Sequence, residues 1–217
     1  MKALGIEFSS HQRGVGIAAT DASGRAVTLA EAVETGGRAA HTFRMVDAAL
    51  AQAGLEREQI ECVAVGIGPG SYTGIRAAIS CAQGWQLALG VRLLGVGTVE
   101  CIAAEASSQG ICGRVAVVVD AQRGEFYVAE YEARAGEALR PATPLRIVTH
   151  QKTLRLEADG ALLIGPEAPR DAQRFRVVPP RAAVLARLAV ERDDFAIGED
   201  LAPIYLRETT FVKATQK

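Results

Sequence analysis

At 217 residues and 49% hydrophobic, with 24 Lys and Arg almost cancelling 25 Asp and Glu, the chain can bury one or two compact lobes and carries no polybasic field for nonspecific nucleic-acid binding. Its four cysteines, Cys62, Cys81, Cys101 and Cys112, form no C-x-x-C pair, which points to reduced, mostly buried thiols rather than disulfides or zinc ligands. The start, Met1 to Phe8, lacks a long apolar stretch and no run of about 18 apolar residues follows, so the expectation is a cytoplasmic protein with no membrane segment.

In chain order, residues 3–8, 14–20 and 26–33 read as strands, the second and third joined by the turn Asp21-Ala-Ser-Gly-Arg25. Ala39, Phe43, Val46, Leu50 and Ala53 then recur on one face of a helix over 38–54 that stops at a glycine. A strand at 61–67, a helix at 73–89, a strand at 91–96 and a short helix at 98–108 complete a first lobe, residues 1–110. The second, smaller lobe, 111–217, opens with the β-branched run Val115 to Val119 ending in Asp120, with 125–131 as its hairpin partner. Residues 133–160, broken by Pro141 and Pro144, read as strands and loops, and a helix over 181–192 follows Pro179-Pro180. No tandem repeat or low-complexity tract interrupts this α/β pattern.

Between the strand and the long helix lies Gly68-Pro-Gly-Ser-Tyr-Thr-Gly-Ile-Arg76. Pro69 fixes its own φ and should hold Gly68 extended, Gly70 can take positive φ, and Ser71 or Thr73 can cap the helix. Such a helix start favours an anion, while its macrodipole opposes a cation in the first turn, so Arg76 makes most sense facing a carboxylate, a phosphate or a partner's acid. The plainer reading is a helix-opening turn with Arg76 solvated. Neither a phosphate loop nor a dinucleotide fingerprint fits: no lysine follows Gly74, and Thr73 stands where the third glycine would be.

The long helix carries two stripes. Ile75, Ala78, Ala82, Trp85 and Leu89 form an apolar one that suits a sheet, while Ala77, Cys81, Gly84 and Ala88 form one of small residues that lets another helix approach closely. That second helix is either the 38–54 helix of the same chain or a helix of a partner.

Catalytic groupings are sparse. His11, His41 and His150 are far apart and make no H-x-x-x-H pair, so no metal site is expected. Glu7 ends the first strand and Asp120 the first strand of the second lobe, where they can face each other across an interlobe cleft; Asp120, Arg123 and Glu125 can equally form a charged hairpin. Gly165-Pro-Glu lacks the paired glycines that would admit an adenine ring, so no complete ATP site is legible.

The nonapeptide from Gly68 to Arg76 closely resembles the G-P-G-S-F-T-G-L-R signature of the bacterial TsaB (YeaZ) family, with Tyr72 and Ile75 as substitutions. His41, Asp120-Ala-Gln-Arg-Gly-Glu-Phe-Tyr127 and Pro203-Ile-Tyr-Leu-Arg207 resemble further family segments in the family's order. The resemblance implies the actin-like, Hsp70-like and sugar-kinase (ASKHA) fold, with two βββαβα-type lobes, the second degenerate. It also implies a subunit with no catalytic residue, metal or intrinsic cofactor, which binds and activates a TsaD-like paralogue, with a TsaE-like ATPase, in N6-threonylcarbamoylation of the adenosine beside the anticodon of ANN-decoding tRNAs. The corresponding two helices pair with TsaD in that family, which assigns Phe43, Ala77, Cys81, Gly84 and Ala88 to partner binding. Gly68, Gly70, Ser71, Thr73, Arg76, Asp120 and Arg123 are the loop or anion candidates. A homodimer when alone, ATP or ADP at a subunit boundary, and tRNA contact only through the complex complete the expectation. Glu7-Phe8 departs from the family's D-T, which leaves open an alternative: a divergent nucleotide-dependent phosphotransferase of the same fold, using Glu7 or Asp120.

Overall fold

A computed structural model describes residues 1–36 and 41–206. The first sheet runs β3 (Ala26–Thr35), β2 (Gln12–Thr20), β1 (Lys2–Glu7), β4 (Cys62–Gly66), β5 (Arg92–Val96). β2 is antiparallel to both β1 and β3, whereas β4 and β5 run parallel to β1 and are reached by helical crossovers. These are α1 (Thr42–Ala53), ended by Gly54 in the left-handed region, and α2 (Tyr72–Leu89). Strand alternation sorts the side chains: Leu4, Ile6 and Phe8 join Val63 and Val65 beneath α1 and α2, while Ala3, Cys62 and Ala64 line the opposite face.

The second sheet repeats the plan. β6 (Gly113–Asp120) pairs antiparallel with β7 (Glu125–Ala133), which pairs with β8 (Arg140–Pro141) and β9 (Arg146–Thr149), and β10 (Leu162–Gly165) and β11 (Phe175–Val177) add parallel to β6. α4 (His150–Ala158) occupies the place of α1, but only a loop over 166–174 joins β10 to β11, where the first lobe has α2. This duplicated plan, with its second half degenerate, is the architecture expected from the resemblance.

The helices that end each half cross over. α3 (Thr98–Ser108) places Ile102, Ala103 and Ala106 against Val115, Val117 and Tyr131 of the second sheet. α5 (Ala182–Glu191) returns to the first sheet, with Val184, Leu185 and Ala189 over Ala3, Ala64 and Leu94. Gly5 and Gly16 make this possible, because a Cβ would lie 2.2 Å from the Ala182 carbonyl oxygen and 2.5 Å from the Ala183 nitrogen, respectively. Arg181 bonds Glu31 of β3 and lies 3.6 Å from Glu105 of α3, tying the crossing helices to the first sheet. After α5, the segment 198–206 passes over α2 and the edge of the first sheet; the Gln83 amide donates to the Gly198 carbonyl at 2.8 Å and the Ile204 N–H to the Ile67 carbonyl at 2.8 Å.

Most expected elements form within two residues of their expected ends. Three expectations are corrected. Residues 150–158 are helical, because the Thr149 hydroxyl caps the Lys152 N–H; with only Thr153 and Leu156 buried, no apolar stripe announces the helix. Phe43 does not join the core face of α1, which is built by Met45, Val46, Ala49 and Leu50; at about 100° per residue Phe43 lies roughly a quarter turn from the centre of that face and is 66% exposed. Leu89, the last helical residue before the Gly90 cap, is also exposed. Ala39 and Arg207 lie outside the described residues.

Candidate functional site

Two neighbouring regions carry the candidate residues: the glycine turn with the solvent face of α2, and the cleft between the lobes. The glycines of the turn provide close approach to the end of β1. A Cβ at Gly70 would sit 2.2 Å from the Ser9 carbonyl oxygen, and one at Gly74 would sit 2.0 Å from that of Phe8. Gly68 is not extended as expected: its φ is +99°, which side-chain-bearing residues rarely adopt, and its carbonyl accepts the Thr98 N–H at 2.7 Å. The helix cap is Ser71, whose Oγ accepts the Gly74 N–H at 3.3 Å; Thr73 is exposed and does not cap. The Ser71 N–H is itself used, donating to the Ser9 carbonyl at 2.7 Å, so fewer amides are free for an anion than the motif alone implies.

Arg76 is exposed, as the helix period requires, and its contacts are aromatic. The guanidinium lies 4.2 Å from the Tyr72 ring centroid, and its Nε donates to the Tyr205 hydroxyl at 3.0 Å. Further along α2, Ala77, Gly84 and Ala88 are exposed and Cys81 half-buried, and a Cβ on Gly84 would meet nothing within 4 Å. The small-residue stripe therefore does not receive α1, as one of the two sequence readings had it. Leu87, beside it, is 89% exposed, and Ala48, Ala51 and Phe43 are exposed on α1. Arg76 is the one charged residue in the whole of α2. A solvated helix face is ordinarily charged, so this one is unusual.

The interlobe cleft has a volume of about 620 Å³ and is lined by Ser9, His11 and Arg13 from the first lobe, Gly70 to Tyr72 from the glycine turn, and Asp120, Gln122, Tyr127 and Glu167 from the second lobe. His11 Nδ1 lies 3.1 Å from the Glu167 carboxylate, bridging the β1–β2 turn and the β10–β11 loop. The Asp120 carboxylate accepts the backbone N–H and the side-chain amide of Gln122, both at 2.8 Å; among the described residues neither an ion pair with Arg123 nor a place for Arg123 in the cleft lining is found.

Glu7 occupies the equivalent strand end in the first lobe but lies under the cleft floor, fully buried. Its Oε1 accepts the Ser9 N–H at 2.6 Å, and Oε2, like the buried Ser9 Oγ and Thr98 Oγ1, has no hydrogen-bond partner among the described residues. Gly66 makes the space, since a Cβ there would fall 2.1 Å from Oε2. Burial pushes the Glu7 carboxyl up, against the partial opposition of the Ser9 hydrogen bonds. Of the two strand-end carboxylates only Asp120 lines the cleft, so the expected pair facing each other across it does not form.

The three histidines stay apart, each beside its own carboxylate: Glu167, Glu34 and Asp171. Among the described residues no group of three or more His, Cys, Asp or Glu could hold a metal ion. All four cysteines are free; Cys62 and Cys101 are buried, burial pushing the Cys62 thiol up to about 12, whereas Cys112 is exposed. No helix among the described residues is long and apolar enough to cross a membrane. Sequence reasoning assigned no role to Tyr205, Leu87 or the His11–Glu167 pair; the traces were Tyr205 within the Pro203–Arg207 segment and Leu87 as an apolar residue off both stripes of α2.

Comparison with known proteins gives this geometry a family. The family model described as "TsaD: tRNA N6-adenosine threonylcarbamoyltransferase" matches residues 39–206. The "tRNA threonylcarbamoyladenosine biosynthesis protein TsaB" of Escherichia coli K12 is 30% identical over 189 residues, 77% of this chain and 80% of that protein. The Bacillus subtilis protein of the same name is 25% identical over 165 residues, 69% of this chain and 71% of that protein. Among solved structures, "YeaZ from Pseudomonas aeruginosa" superposes with a TM-score of 0.75 at 26% identity, covering 94% of this chain and 99% of that one. On that family model, which matches more than half of the chain, and on the 30% identity to a relative covered to 80%, the chain belongs to the TsaB (YeaZ) family of tRNA threonylcarbamoyladenosine biosynthesis proteins.

Proposed function

We propose that this chain is a noncatalytic subunit that binds and activates a TsaD-type partner, with a TsaE-type ATPase, in N6-threonylcarbamoylation of the adenosine beside the anticodon of ANN-decoding tRNAs. The observation that carries the reading is the outer face of α2: Ala77, Gly84, Leu87 and Ala88 lie open to solvent with no charge among them. Small residues allow backbones to approach, and burial of Leu87 and Phe43 would supply apolar area. Its chemistry lies on the partner, whose geometry this chain holds. Alone, the same face would pair with a second copy; in the complex, ATP or ADP would sit at a subunit boundary and tRNA would be met jointly.

The test is light scattering coupled to size exclusion on this chain mixed with the TsaD-type protein of the same organism, followed by tRNA modification with the ATPase and threonylcarbamoyl-AMP. A defined heteromer is expected. Ala88→Arg should weaken it by about 100-fold while leaving the melting temperature of the isolated chain unchanged, since Ala88 is exposed. Equal unfolding by Ala88→Arg would show the face to be internal and defeat the reading.

A second reading, a divergent phosphotransferase, is favoured by the cleft itself, with Asp120 on its wall. It requires nucleotide hydrolysis by the isolated chain that Asp120→Asn abolishes.

A further inference from the structure

Arg76 is held in an unfavourable place. It lies in the first turns of α2, where the positive end of the helix dipole opposes a cation. It is exposed, and no Asp or Glu among the described residues pairs with it. Two tyrosines position it instead. Tyr72, 57% exposed, lies under the guanidinium, and Tyr205, 52% exposed, takes the Nε–H; the two rings lie 5.9 Å apart between centroids. Tyr205 comes from the strap after α5, fixed by the Ile204–Ile67 hydrogen bond beside the glycine turn. A guanidinium with Nε tied down presents its outer N–H groups in one plane, the geometry that receives a carboxylate through paired hydrogen bonds.

We infer that Tyr72, Arg76 and Tyr205 form a preset receptor for a carboxylate side chain, Asp or Glu, of the TsaD-type partner, and that this pair anchors the interface at the N-terminal end of α2. The inference rests on the proposed role of the α2 face. Continuity supports the occupant: at about 100° per residue the exposed Leu87 lies within roughly 20° of Arg76 around α2, so a partner that covers Leu87 beside the small-residue stripe reaches Arg76 three turns back along the same side. Charge supports it too, since Arg76 is the one cation of α2, and a partner's acid would remove the conflict with the dipole. Nucleic acid is the poorer occupant. The chain's net charge is −1, Arg76 is the one cation among the described residues of α2 and the strap, and the exposed Glu199 and Asp200 of that strap would repel phosphates. Aromatic and arginine side chains placed together are also the composition of protein-interface anchors.

The test uses the full chain and the full-length TsaD-type protein of the same organism, with affinity measured by calorimetry at two salt concentrations. Arg76→Glu is expected to weaken association by about 100-fold or more, Arg76→Lys by about 10-fold because the planar fork is lost, and Tyr205→Phe by a few-fold because only the orienting hydroxyl goes. Exchange of one partner carboxylate for arginine should restore binding to Arg76→Glu, and melting temperatures of the isolated variants should match wild type. Binding by Arg76→Glu at wild-type strength, while Ala88→Arg still abolishes it, would overturn the anchor and leave the interface standing. Failure of wild type to associate at all would remove the interface and the anchor together. Failure of every single partner carboxylate reversal to rescue Arg76→Glu would also overturn the assignment, as would a loss confined to tRNA binding by the assembled complex.

Discussion

The two lobes share a strand plan, three antiparallel strands followed by two parallel ones, yet they differ in what joins the last two: α2 in the first lobe, a short loop over 166–174 in the second. Both connections complete a parallel pair, but only the first does so with a helix that also covers its sheet. Its inner face, Ile75, Ala78, Ala82 and Trp85, closes the first core, while its outer face is apolar, small-residued and open. In the second lobe the corresponding sheet face is sealed more simply, by Leu156 of α4 together with Ala172 and Phe175. The lobe that retained the extra helix is thus the one with a surface suited to another protein. The strand-end carboxylates differ in parallel: Asp120 lines the cleft in water, and its counterpart Glu7 is buried among groups that leave one oxygen unpaired.

The largest effect should come from breaking the exchange of helices between lobes. Gly16→Val drives a side chain into the α5 backbone, where no flexible side chain can yield, and should cost about 3 kcal/mol in urea unfolding, at the upper end for an overpacked core. A loss under about 1 kcal/mol would mean that α5 shifts freely on the first sheet. Next, Gly84→Ala on the open face of α2 should stabilise the isolated chain by about 1 kcal/mol, because helix propensity rises and the added methyl meets nothing. The same substitution should weaken the heteromer, so opposite signs in thermal melting and in affinity would set this helix apart from every buried one.

The smallest effect concerns the two strand ends. The folded chain binds the Glu7 proton more tightly than the unfolded chain, whose carboxyl has the ordinary value of 4.5, so stability should fall as pH rises from there to the raised folded value and then level off. Glu7→Gln should remove that slope and leave the chain at least as stable near neutrality. Melting curves of wild type and Glu7→Gln from about pH 4.5 to 8 measure it. A slope that survives in Glu7→Gln would place the responsible group elsewhere.

Much of this was legible from local pattern. β1 and β2 were legible as strands, the glycine after Ala53 gave the end of α1, and the run from Gly68 to Arg76 gave both the turn and the family. α4 was not legible, because its stability rests on a Thr149 cap and a single buried leucine rather than on a stripe. The candidate site was half legible: the small-residue stripe of α2 could be read from its period, but not whether α1 or solvent faced it.

The sequence by itself determined the order of strands and helices, the periodicity of α2 and the family, since all three depend on neighbours within a turn or two of the chain. Only the tertiary structure decided that α3 and α5 exchange lobes, that Glu7 is buried while Asp120 is not, and that Tyr205 holds Arg76 across 129 residues of sequence. These are contacts between distant segments, fixed by how two twisted sheets and their helices fill one core, and no local period records them.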